Sequence, residues 1–142
     1  MEYVVNIVAA PAEQVQDVAD AECPLDEWRG IDAPGVTPAM LAQISSALTG
    51  EALAEALDRC EPVAWGESGA VVLRLDATLG EHLLDCDEDV LERCAEELVA
   101  SEAFEDAAWQ AEEVFSMLAA LQDLATLAAD EGEVFFVWVL EA

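Results

Sequence analysis

Two runs of β-branched and aromatic residues stand at opposite ends of this chain, residues 2 to 9 (EYVVNIVA) and residues 133 to 140 (EVFFVWVL). Neither alternates between apolar and polar positions, so neither suits a strand with one wet face; each reads as a strand buried on both sides. Such strands belong in the middle of a sheet with helices packed over it. A third run, residues 70 to 75 (AVVLRL), supplies another strand. The expected fold is α+β: a small sheet of about three strands, first and last central, covered by several helices and dominated by them. At 142 residues the chain has the length of a single globular domain, residues 1 to 142.

The helices are marked by their ends. Pro11 opens a short helix to about Ala21. Thr37-Pro38 is a start signal followed by Met40, Leu41, Ile44 and Leu48 at helical spacing, until Gly50 closes the run. Residues 51 to 59 repeat the pattern with Leu53 and Leu57. Asp76 caps a helix over residues 77 to 84 that Gly80 weakens, and Asp85 or Asp87 caps the next, which carries Val90, Leu91, Cys94, Leu98 and Val99. The last helix has an apolar stripe from Phe104 to Ala128, about seven turns long, ending at Gly132. Residues 23 to 35 and 60 to 69 are broken by Pro and Gly and read as loops, anchored by Trp28 and Trp65.

Charge sets the functional limits. The chain has 32 Asp and Glu against four arginines (Arg29, Arg59, Arg74, Arg93) and no lysine, a formal net charge of -28. A hydrophobic fraction of 55% excludes a disordered acidic chain. Most carboxylates therefore lie on the surface of a folded body without a cationic partner, repelling nucleic acid and anionic membranes and attracting basic proteins or divalent cations. Adaptation to high salt and compositional drift also yield acidic chains, but Glu outnumbers Asp here, 20 to 12, which weighs against the first. Residues 1 to 10 lack the basic start and the apolar length of a signal or membrane span, so the expected location is cytoplasmic, with Cys23, Cys60, Cys86 and Cys94 reduced.

The motifs for catalysis fall short one by one. His82 and Cys86 are spaced i, i+4, with Cys94 two turns on, and a zinc site would need Cys60 or Cys23 as fourth ligand; no Cys-x-x-Cys pair makes that spacing specific. Asp85, Asp87, Asp89 and Glu96 match positions 1, 3, 5 and 12 of a calcium loop, yet Val90 occupies the obligatory glycine position and Arg93 adds a cation. Helix capping accounts for those acids better. Paired carboxylates such as Glu96-Glu97 arise by chance in so acidic a chain, and none of the serines has a histidine near it in sequence. No cofactor and no metal ligand set are expected, and the balance favours a protein that is not an enzyme.

What remains is the segment from Glu81 to Glu113, with 13 acids and one arginine in 33 residues, a net of -12. The expectation is an acidic binding protein of inhibitor, immunity or adaptor type that engages a cationic protein, without direct nucleic-acid or membrane binding. The surface charges are Glu88, Asp89, Glu92, Glu96, Glu105, Asp106, Glu112 and Glu113, with Trp109 on the last helix as an aromatic anchor. A DNA mimic competing for a DNA-binding protein is the alternative, and a carboxylate enzyme using a divalent metal is the third.

The segments 41 to 50 (LAQISSALTG), with its Leu-Thr-Gly ending, and 118 to 139 (LAALQDLATLAADEGEVFFVWV) resemble the YfbM-like bacterial proteins of unknown function. The resemblance implies a compact α+β fold, with a helix ending in Leu-Thr-Gly after an N-terminal strand and a long helix before the closing strand. It implies no activity, so no residue role comes with it.

Overall fold

In the computed structural model of the protein, the residues described are 3–33, 36–50, 52–58, 62–75, 77–101, 104 and 109–141. The two apolar runs form β1 (Tyr3–Ala10) and β5 (Val134–Glu141), antiparallel and in register from Tyr3↔Glu141 to Ala10↔Val134. Strand β4 (Val71–Arg74) pairs with the other side of β5. Two further strands close the edges: β2 (Arg29–Asp32) on β1 and β3 (Pro62–Trp65) on β4. The sheet order is β2-β1-β5-β4-β3, antiparallel throughout.

The α+β class and the interior placement of the first and last strands agree with the sequence. The expected strand number does not: there are five strands rather than about three. Both additions lie where loops were expected. Arg-Gly-Ile-Asp and Pro-Val-Ala-Trp have little intrinsic strand preference, and they are extended because the open edges of β1 and β4 offer them a hydrogen-bonding ladder. Pro62 is tolerated since β3 is an edge strand.

One face of the sheet carries most of the helices. These are α3 (Pro38–Thr49), α5 (Ala77–Asp85), α6 (Glu88–Val99) and α7 (Ala111–Glu131), whose inner residues Ile44, Leu83, Leu98 and Leu118 join Ile7 and Val137 in the main core. Helix α3 begins and ends as its sequence predicts: Thr37 Oγ1 accepts from the Met40 N–H at 3.2 Å, and Gly50 closes it at φ 78°, a left-handed conformation that suits glycine. A short α4 (Leu53–Asp58) follows it. Asp76, expected to cap α5, lies outside the described residues.

The opposite face is covered by α1 (Val15–Asp20), preceded by a single 3-10 turn, and α2 (Pro24–Glu27). Val18 and Ala19 of α1 pack on Val8, Val72, Phe136 and Trp138. Among the described residues the buried Trp138 indole N–H has no hydrogen-bond partner. The β3–β4 turn is fastened to α1 at three points. Gln16 donates to the Trp65 carbonyl at 3.0 Å, Asp20 accepts from the Glu67 N–H at 3.2 Å, and Gly66 lies so close to the Ala19 carbonyl oxygen that no Cβ fits between them. No helix among the described residues is long and apolar enough to cross a membrane.

Candidate functional site

Helix α6 begins at Asp87, whose extended backbone and carboxylate cap it by accepting from the Val90 N–H at 2.9 Å. The acids that imitate a calcium loop are thus a helix start, with Glu88 and Asp89 in the first turn, where negative charge complements the helix dipole. Leu91, Cys94, Ala95 and Leu98 bury the inner side. The outer side carries two rows at four-residue spacing. Asp89, Arg93 and Glu97 form one, with the arginine between its two acids; Glu88, Glu92 and Glu96 form the other, about 100° around the helix, with no cation in it.

Helix α7 starts later than its apolar stripe predicts. Gln110 is extended (φ -99°, ψ 157°), so the helix runs from Ala111 rather than from Phe104. Trp109 therefore precedes the helix instead of riding on it. Half-buried, it meets the buried Phe104 edge-on, with ring centroids 5.7 Å apart, and packs against the main core. It supports the junction between α6 and α7 and is a poor candidate for a surface anchor. Glu112 and Glu113 occupy the first turn of α7 and are exposed.

Between α6 and α7 runs a groove of about 490 Å³. Glu88, Glu92 and Glu96 stand along its α6 side, and Glu112 and Ser116 along its α7 side; half-buried Ala111 and Phe115 supply apolar surface between them, above the buried Ala95. Four of the expected surface charges are thus brought to one concavity. Asp89 and Glu113 are exposed but outside it, and Glu105 and Asp106 lie outside the described residues. Sequence reasoning missed the apolar part. Phe115 belongs to the helical stripe and is half-buried against the main core, so its position in the stripe gives no sign that it also lines the groove.

Another cleft, about 650 Å³, lies between β2 and α7 and has Arg29, Asp26, Glu27 and Asp123 among its lining residues. A smaller one, about 200 Å³, is lined by Gly80, Leu84, Ala125 and Phe135. The α6–α7 groove has four carboxylates among its lining residues and no arginine, against three with Arg29 in the first of these and two, Glu81 and Glu133, in the second.

The contact between Cys86 and His82 is made by the His82 backbone and not by its imidazole. The Cys86 thiol donates to the His82 backbone carbonyl at 3.1 Å, and burial, reinforced by Asp85 and Asp87, raises its pKa. Cys94 is buried and its pKa is pushed up to about 11, mainly by burial, with smaller contributions from Glu97 and Cys86. Raised thiols hold little thiolate at neutral pH, which makes them weak nucleophiles and weak metal ligands. Cys23 is exposed and Cys60 lies outside the described residues. Among the described residues, no three His, Cys, Asp or Glu side chains gather as a metal ion requires.

The other tryptophans separate clearly. Trp28 donates its indole N–H to Gln14 Oε1 at 2.9 Å and packs against the core under α1, whereas Trp65 on edge strand β3 is 64% exposed.

No protein-family model, curated protein or solved structure matches the chain.

Proposed function

We propose that the protein acts by binding, as an inhibitor, immunity or adaptor protein, and that its α6–α7 face engages a cationic protein. The observation that carries this reading is the row Glu88, Glu92 and Glu96, unbroken by any cation and facing a groove. Like charges four residues apart on a helix cost about 0.2–0.5 kcal/mol per pair. A partner that places Lys or Arg between them removes that repulsion, and the surrounding field accelerates its approach. Regular spacing of about 6 Å along the row also supports the second reading, mimicry of a charged nucleic-acid strand.

The test is capture of partners by the purified protein at about 0.1 M and about 1 M salt, beside the triple variant Glu88→Gln, Glu92→Gln, Glu96→Gln. The expected partner is basic, released by high salt and lost with the variant. Displacement of that partner by duplex DNA would select mimicry. A partner held equally by the variant would refute the assignment of the face.

A further inference from the structure

We infer that the groove between α6 and α7 receives a cationic amphipathic helix, with an apolar side chain on Phe115 and its Lys or Arg residues against Glu88, Glu92 and Glu96. This rests on the binding reading above and names the form of the partner.

The apolar lining is the first argument. Exposed ion pairs contribute only about 0–1 kcal/mol each in water, so a purely ionic ligand would use the rim and gain nothing from Phe115 and Ala111. An apolar side chain seated there leaves water and adds affinity that salt does not screen. Charge complementarity then fixes what flanks that side chain: positive groups, since the rim is carboxylate on both walls.

The walls supply the second argument. Both are helices, whose backbone groups along their length are paired internally and offer no ladder to an extended chain. A helix brings its own hydrogen bonds and can lie in the trough without leaving amides unpaired. Ala111, being small, lets it approach closely. Its residues also recur every four positions at about 6 Å, in step with the carboxylate row.

Charge argues against the simplest alternative, a second copy of this chain, because at -28 each with four scattered arginines and no lysine no segment of its sequence is basic enough to fill the groove.

The test uses the full chain and two synthetic peptides of about 14 residues and equal positive charge, one with Leu and Lys at helical periodicity, the other with each Leu replaced by Ser. Binding is followed by calorimetry and peptide helicity by circular dichroism, for the native protein, the triple Gln variant and Ser116→Trp. Ser116 is exposed and lines the groove, so the tryptophan fills the trough without touching the core or the charge. The Leu/Lys peptide should bind at least about tenfold more tightly than its Ser counterpart and become helical on binding. Ser116→Trp should abolish that preference. Equal binding of the two peptides, a bound peptide that stays non-helical, or indifference to Ser116→Trp would overturn the helix-in-groove inference while the charge reading stands. If neither peptide binds, or both bind the triple Gln variant as well as the native chain, the charge reading itself fails.

Discussion

The two faces of the sheet are held by different means. On one, α3, α5, α6 and α7 bury long apolar side chains from Met40, Leu83, Leu98, Leu118 and Leu121 against β1, β4 and β5. On the other, a six-residue and a four-residue helix cover Val8, Val72, Phe136 and Trp138 with few side chains, Val15, Val18 and Ala19 from the first and Leu25 from the second, beside the small Ala10, Ala64 and Ala70 of the sheet and its turn. The thick side depends on area buried and the thin side on specific fits such as Gly66 against Ala19 and Gln16 against Trp65. Because the inner surfaces of α6 and α7 suffice to hold them in place, their outer surfaces are free to carry uncompensated charge.

That contrast can be broken most forcefully on the thick side. Leu118→Ala removes a fully buried side chain from among large neighbours and should cost about 3–4 kcal/mol in chemical denaturation. A loss under about 1 kcal/mol would mean that the thick core is not the main support. On the thin side, Gly66→Ala drives a methyl group into the Ala19 carbonyl and should cost about 2 kcal/mol by the same measurement. An unchanged midpoint would show that α1 can lift off the β3–β4 turn without consequence.

The smallest expected effect concerns pH. Cys94 remains protonated in the fold up to about 11, whereas an unperturbed thiol titrates at 9.0. Below 9.0 both folded and unfolded chains hold the proton, and Cys94 adds no pH dependence. Between 9.0 and about 11 only the unfolded chain releases it, so stability falls as pH rises. The Cys94→Ala variant should show a shallower decline of melting temperature across that interval; an identical decline would place the alkaline loss elsewhere.

How much of this was legible in the sequence follows from how local each determinant is. Thr37, Pro38 and Gly50 delimit α3 through contacts within a few residues, and Asp87 does the same for the start of α6. Strands β2 and β3 depend on partners distant in the chain: Gly30 is extended because it pairs with Val8, and Trp65 because it pairs with Val71. The break before α7 was hidden because Phe104, Ala108 and Ala111 are apolar at helical spacing while the backbone at Gln110 leaves the helix. At the site, the spacing of Glu88, Glu92 and Glu96 was readable as one helical face, but the wall opposite exists only through packing of α6 on α7.

Gln122, near the middle of α7, donates its side-chain amide to two carbonyls, Leu83 at 2.8 Å and Cys86 at 2.7 Å. A single residue thereby anchors the elbow where α5 turns into α6. The acidic row begins two residues beyond that elbow, so it cannot tilt without straining this joint. A force applied to those carboxylates is transmitted to the middle of the longest described helix instead of being absorbed by a loose hinge.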